Sequence, residues 1–238
     1  MKSRLKQLGE LISRIRKTNA GKNAAASYLA FISTFAWAFI SIPVAVHFLD
    51  KDEIGTWAIV NALLTYLTWM DLGIGQATGR LIADSVTNRD QVELNRWWSA
   101  TRFVLWVQGA LVMVLGLVMS NLAIDFFKIH PDHVSSTKVL LVGGSIVTGL
   151  SFPFRGAVGL LTAQNRYYWA PLVQAVCPWI NLVVFYLMLR SGYGLKSYIV
   201  GLGFSQIFTW IAFTLLVRSS SDRPRWDARG IAKKRLGK

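Results

Sequence analysis

Six long apolar stretches, separated by short segments that hold most of the charges, constrain this chain more than any other feature. Each stretch reaches or exceeds the roughly 20 residues that an α-helix needs to cross a bilayer core about 30 Å thick. Charged types make up only 16% of the chain, against about a quarter in soluble domains. The sequence therefore predicts an all-α fold, a polytopic membrane helix bundle of about six transmembrane helices. The predicted spans cover residues 24–48, 54–78, 98–121, 139–163, 168–189 and 198–217.

Lys and Arg are unevenly shared between the two ends of the predicted spans. With the N-terminus in the cytoplasm, 21 of the 26 basic residues lie inside and five outside. Positive charge concentrates in the short cytoplasmic segments of membrane proteins. The sequence thus predicts both termini in the cytoplasm and an even number of spans. The five outer residues are Lys51, Lys128, Lys138, Arg190 and Lys196.

Both terminal segments are basic. Residues 1–23 carry apolar side chains at helical spacing between Lys and Arg, which predicts a basic amphipathic helix on an anionic membrane surface. A solvated charged leader is the alternative. Residues 218–238 are predicted to form a basic cytoplasmic tail or linker. The net charge of +14 does not indicate nucleic acid as a partner, because it flanks apolar spans instead of covering a soluble surface.

Chemistry-bearing motifs are sparse. The chain contains one cysteine, Cys177, within an apolar stretch, so no disulfide framework or thiolate metal site is expected. It has no catalytic Ser/His/Asp set, paired acid motif or zinc helix signature, and we expect neither an enzyme nor a bound metal or cofactor.

Two ionisable residues are predicted to lie within the membrane at similar depth. Asp71 follows Ile54 by 17 residues, about 25 Å along a helix, and Arg155 follows Val139 by 16 residues, about 24 Å. Buried charges are costly unless they face water, a ligand or a partner. The two residues are therefore candidates for an ion pair or for a shared wet cavity. The alternative for Arg155 is that its side chain extends to the inner headgroups.

Arg80 lies further along the second predicted span. It is about 39 Å from the start of that span along a straight helix, beyond the apolar core, and half a turn out of phase with Asp71. The two residues are not expected to line one cavity unless the helix bends at Gly73 or Gly75. An interfacial pair with Asp84, four residues later, is the alternative for Arg80.

Uncharged polar residues and prolines mark the later spans. Gln174 and Asn181 are candidates for a cavity lining, with interhelical hydrogen bonds as the alternative. Three prolines are predicted to kink or open the fourth and fifth helices, and a pair of glycines to allow close helix packing. These are Pro153, Pro171, Pro178, and Gly75 with Gly79.

Residues 48–84 resemble the start of Wzx-type polysaccharide flippases, which belong to the multidrug/oligosaccharidyl-lipid/polysaccharide exporters. In that family a short acidic loop precedes a Gly-aromatic pair, and the second span ends in an Asp-Leu-Gly-Leu-Gly-like stretch with a downstream Arg. The fourth span and the turn after it also look like the family. The matching residues are Ile54-Gly55-Thr56-Trp57, Asp71-Leu72-Gly73-Ile74-Gly75, Arg80, and Pro153, Gly156 and Gly159 before Gln164-Asn165-Arg166-Tyr167.

The resemblance implies a transporter that moves a polyprenyl-pyrophosphate-linked glycan across the bacterial inner membrane by alternating access. Cationic cavity residues would hold the pyrophosphate or acidic sugars, with Arg155 the first candidate and Arg80 the second. Family members are built as two related halves, and six spans correspond to the N-terminal half. The resemblance thus implies a second half or a homodimer partner, besides membrane lipids.

Two other functions stay open from the sequence. The first is a multidrug-type exporter of the same superfamily, which requires acidic cavity residues, and only Asp71 qualifies. The second is a non-transporting membrane scaffold within a glycan-assembly complex.

Overall fold

The computed structural model describes residues 19–71, 73–220 and 224. Helices hold 89% of these residues, and no strand occurs among them. The described residues form seven successive α-helices, and a short 3₁₀ helix, Gly194–Lys196, precedes the last. The α-helices are α1 (Ala20–Phe48), α2 (Lys51–Trp69), α3 (Ile74–Thr87), α4 (Gln91–Phe127), α5 (Pro131–Ala163), α6 (Trp169–Arg190) and α7 (Ser197–Arg218).

Five helical segments of the described chain are long and apolar enough to cross a membrane. They are α1, α4, α5, α6, and the segment Gly194–Arg218 that contains α7. The prediction of a polytopic helical membrane bundle is confirmed. The predicted helix over residues 1–23 falls mostly outside the described residues, but its last four residues belong to α1. The predicted tail over 218–238 is also mostly outside them.

The second predicted span, 54–78, is not one helix. Helix α2 ends at Trp69 and α3 begins at Ile74, with Gly73 between them at φ 74°. That left-handed conformation is readily adopted only by glycine, which has no Cβ to clash. This interruption is the bend at Gly73 that the sequence left open.

Both ends of the described bundle lie at the turn between α5 and α6. Asn19, just before α1, donates a side-chain hydrogen bond to the carbonyl oxygen of Asn165 at 2.8 Å. Ser220, just after α7, donates one to Oε1 of Gln164 at 2.6 Å. A chain that starts and finishes at the same end crosses an even number of times. Helices α2 and α3 together therefore supply the sixth crossing beside the five long helices.

The prolines do not interrupt the helices that contain them. Helix α5 continues through Pro153 and α6 through Pro178. Pro171 lies in the first turn of α6, where backbone N–H groups have no intrahelical acceptor. The prolines therefore do not open these helices, and the predicted kinks stay a prediction.

Helix α5 forms the centre of the bundle. It packs against α2, α3, α4 and α7, and half of its apolar stretch is buried. Helix α1 packs along α6 and makes few contacts with any other helix, while α6 packs along α7. The contact between α1 and α6 includes Ser33, which donates to the Ala175 carbonyl oxygen at 2.5 Å and accepts from Trp179 Nε1 at 2.8 Å.

Glycines allow α3 and α5 to touch backbone to backbone. A Cβ placed on Gly159 would lie 2.6 Å from the carbonyl oxygen of Gly75, and one placed on Gly79 would lie 3.1 Å from that of Gly159. The predicted close packing through Gly75 and Gly79 is confirmed.

Two hydrophobic clusters lie one beyond the other along the bundle. The turn cluster surrounds the α5–α6 turn and includes Leu160, Leu161 and Ala170. The far cluster occupies the opposite end and includes Trp57, Leu140, Leu195 and Tyr198, with Phe152 as its last member on α5. On α5 the two clusters meet between Phe152 and Ala157, which is where Arg155 lies.

Candidate functional site

A cavity of about 1220 Å³ opens among α1, α3, α5, α6 and α7. Its lining begins at Asn165 and Tyr167 beside the α5–α6 turn and continues to Tyr198 in the far cluster. The cavity thus extends from the end of the bundle that holds both chain ends towards a closed apolar layer. All five site residues predicted from the sequence line it: Asp71, Arg80, Arg155, Gln174 and Asn181.

Arg155 and Asp71 meet at the interruption between α2 and α3. Arg155 Nη1 lies 3.5 Å from Asp71 Oδ2 and donates to the carbonyl oxygen of Thr68 at 3.0 Å. The guanidinium carbon also lies 4.1 Å from the ring centroid of Phe152, a cation–π distance. Of the alternatives left open by the sequence, the pair and the shared cavity are both present. These interior contacts of the Arg155 guanidinium disfavour the alternative that it extends to the inner headgroups.

Gln108 of α4 approaches the same interruption from the other side. Its Nε2 donates to the carbonyl oxygens of Met70 and Asp71 at 3.4 and 3.5 Å, both long contacts. Backbone carbonyls freed inside a membrane need such donors, because lipid offers none. Two buried oxygens there, Asp71 Oδ1 and Gln108 Oε1, have no hydrogen-bond partner among the described residues.

Arg80 is exposed on α3 and lines the cavity together with Asp71. The bend that the sequence required for this arrangement is the interruption at Gly73. The suggested ion pair between Arg80 and Asp84 is absent, since the ion pairs of the described residues are Asp71–Arg155 and His130–Asp132. Arg80 therefore presents a cation that no described carboxylate neutralises.

The far end of the cavity is polar at its surface and aromatic behind it. Asn181 is only 6% exposed, and its Oδ1 has no hydrogen-bond partner among the described residues. The hydroxyl of Tyr198 donates to Asn61 Oδ1. Behind them the rings of Trp57, Phe185 and Tyr198 pack in a triangle with centroids 6.0–6.1 Å apart. Of the three rings, Tyr198 lines the cavity.

Sequence reasoning missed the contribution of α1 and α7 to the cavity. Thr34 and Trp37 of α1 line it, and Trp37 Nε1 is buried without a hydrogen-bond partner among the described residues. The two residues are three apart, so they share a helix face. That spacing could have indicated a polar face on α1. From α7, Ser205 and Thr209 contribute at the four-residue spacing that also places side chains on one face.

The chain matches no protein-family model, no curated protein and no solved structure. The similarity of residues 48–84 to polysaccharide flippases therefore stays a hypothesis that rests on the quoted residues.

Proposed function

We propose that this chain is a transport protein of the polysaccharide-flippase type in the bacterial inner membrane. It moves a polyprenyl-pyrophosphate-linked oligosaccharide across the bilayer by alternating access, with no covalent step. The observation that carries the proposal is the cavity of about 1220 Å³, which holds all five candidate residues. Drug-sized ligands occupy pockets of about 300–1,000 Å³, so this cavity suits a larger substrate such as an oligosaccharide.

The direction of access follows from the charge distribution. The cavity reaches the end of the bundle that holds both chain ends, and the distribution of Lys and Arg assigns that end to the cytoplasm. The aromatic triangle of Trp57, Phe185 and Tyr198 packs at the other end. The structure accordingly suits an inward-open state that takes up a substrate made on the cytoplasmic side.

The charges of the cavity favour an anionic substrate. Its ionisable Asp, Lys and Arg lining residues are Asp71, Arg80 and Arg155. Because Asp71 and Arg155 neutralise each other, Arg80 supplies the net positive charge. A multidrug-type exporter of cations requires an unpaired acid, which Asp71 is not. We therefore assign the first contact with the pyrophosphate to Arg80. Arg155 mainly supports the α2–α3 interruption. This ranking reverses the one proposed from the sequence, in which Arg155 was the first candidate.

A second bundle is part of the proposal. Helix α1 makes few contacts outside α6, so packing between described helices does not close the cavity between α1 and α3. Polar cavity walls against lipid are costly. A second copy of the chain, or a separate second half, would cover this side, as in the two-halved transporters that the sequence resembles.

Complementation tests the proposal. The chain is expressed in a bacterial strain that lacks its own flippase, alone and with a corresponding second half, and surface glycan is measured. We expect rescue only with the second bundle or in a dimer, and rescue by a chain shown to be monomeric would contradict the two-bundle arrangement.

The variant Arg80→Gln tests the proposed role of the cavity arginine, with Arg89→Gln as its charge-matched control. We expect Arg80→Gln to lower surface glycan about tenfold or more, as for loss of a charged contact worth about 1.5–3 kcal/mol. Arg89→Gln, which removes the same charge from the exposed α3–α4 turn outside the cavity, should leave the glycan unchanged. Wild-type levels of surface glycan in both variants would favour the scaffold function.

A further inference from the structure

A second, smaller cavity of about 260 Å³ lies between α4, α5 and α7. We call it the α4–α7 cleft. Both α4 and α7 pack on α5 but make few contacts with each other, so a cleft remains over α5. Two arginines line it, Arg102 of α4 and Arg218 of α7, and none of the described residues that line it is acidic. Its other walls are largely apolar and include Trp98, Pro153 and Val217.

Arg102 carries a polar group that lacks a partner. Its Nε is buried and has no hydrogen-bond partner among the described residues. The guanidinium carbon lies 5.9 Å from the ring centroid of Trp98. Neither Arg102 nor Arg218 forms an ion pair with a described carboxylate. A partly buried cation without a counter-ion is costly, and a bound anion would remove that cost.

The position of the cleft matches the headgroup level of a bilayer. Trp98 and Phe213 belong to the turn cluster, at the end of the bundle that holds both chain ends. Trp97 and Trp98 are the residue type that concentrates at membrane interfaces. Arg102 lies one helical turn beyond Trp98, about 6 Å deeper, and Arg218 is the last residue of α7. Two cations thus lie near the phosphates of one leaflet, beside apolar walls that suit acyl chains.

We propose that the α4–α7 cleft binds the phosphate headgroup of an anionic phospholipid from the leaflet at this end of the bundle. Arg102 and Arg218 hold the phosphate, and the apolar walls contact the upper acyl chains. Basic clefts between membrane helices bind anionic headgroups in this way. The site is separate from the large cavity, and the proposal does not depend on the transport function.

Lipid binding to the purified full chain tests the proposal. The delipidated protein is titrated with phosphatidylglycerol and with zwitterionic phosphatidylcholine, and bound lipid is counted by native mass spectrometry. Each arginine should contribute about fivefold in affinity, so the wild type should prefer phosphatidylglycerol by about thirtyfold. Absence of that preference in the wild type would overturn the proposal.

Charge-matched variants separate the cleft from the general surface charge. Arg102→Gln with Arg218→Gln should abolish the preference. Arg89→Gln with Arg96→Gln removes two exposed arginines that do not line the cleft, and should keep it. Equal loss in both double variants would show attraction by net charge alone and overturn the site. Arg218→Gln at the helix end tests the cleft without disturbing α4, and should lower the preference about fivefold.

Free phosphate is the other source of the same chemistry. Glycerol phosphate at millimolar concentration is added to the wild-type protein saturated with phosphatidylglycerol. We expect the lipid to stay bound, because the acyl chains contribute through the apolar walls. Displacement of the lipid at millimolar glycerol phosphate would assign the cleft to a free phosphate compound and overturn the lipid proposal.

Discussion

Arg155 contacts three groups in the interior of the bundle. It approaches the Asp71 carboxylate at 3.5 Å, donates to the Thr68 carbonyl oxygen at 3.0 Å, and covers the ring of Phe152. The side chains of Arg155 and Asp71 are 25% and 23% exposed. They are therefore sheltered enough that removal of one partner leaves the other poorly solvated. The pair therefore stabilises the α2–α3 interruption and offers no unpaired charge to a substrate.

The Asp71–Arg155 pair can be measured with a double-mutant cycle. We expect Arg155→Gln to lower the free energy of unfolding by about 1–3 kcal/mol, less than for a fully buried pair, because Asp71 loses its counter-ion. Adding Asp71→Asn should recover part of that loss. Unfolding in mixed micelles followed by circular dichroism gives the values, with Arg89→Gln as the exposed control. Strictly additive effects of the two substitutions would show that the residues do not interact.

Helices α3 and α5 approach so closely that no side chain fits between them at Gly159. The carbonyl oxygen of Gly75 and the amide nitrogen of Gly79 would lie 2.6 and 2.8 Å from an added Cβ. Both groups are backbone and yield only if the helices move apart. This contact fixes the position of α3, and with it the position of Arg80 in the cavity.

A single methyl group at this contact tests its importance. We expect Gly159→Ala to lower the free energy of unfolding by about 1–3 kcal/mol, as overpacking does in tight cores. Gly203→Ala in α7 is the matched control, because no atom lies within 4 Å of its added Cβ. The control should be neutral or stabilising by up to about 1 kcal/mol, as for Gly to Ala in a helix. A neutral Gly159→Ala would show that α3 is free to separate from α5.

The described part of the chain crosses the bundle an even number of times, because Asn19 and Ser220 both hydrogen-bond to the α5–α6 turn. The distribution of Lys and Arg predicts that this end faces the cytoplasm, and the proposed direction of cavity access follows from that prediction.

Cysteine labelling checks this orientation. In a Cys177→Ser background, which removes the chain's one native thiol, Asn88→Cys and Ser191→Cys place thiols at two exposed sites on opposite ends. We expect a membrane-impermeant maleimide to label only the position 191 variant in spheroplasts and only the position 88 variant in inside-out vesicles. The reverse pattern would invert the bundle, and labelling of both from one side would contradict six crossings.

The membrane-spanning helices could be predicted from the sequence because bilayer thickness sets the length of an apolar helix. The shared depth of Asp71 and Arg155 followed from the rise per residue, since both helices run across the same slab. The glycine contact between α3 and α5 was also readable, because small residues four apart leave a groove. These are local or one-dimensional properties, and they do not require knowledge of the neighbouring helices.

Tertiary structure decided that the bend left open by the sequence occurs at Gly73, and which side chains surround it. The carbonyl oxygens of Thr68, Met70 and Asp71, which the interruption frees, accept hydrogen bonds from Arg155 and Gln108. Those donors come from α5 and α4, far away in sequence. Other features also depend on contacts between helices that are distant in sequence. They are the exposure of Arg80 in the cavity, the faces of α1 and α7 that line it, and the two arginines of the α4–α7 cleft. Each depends on which helices are neighbours, and helix packing in lipid is set by shape and hydrogen bonds that apolar length does not encode.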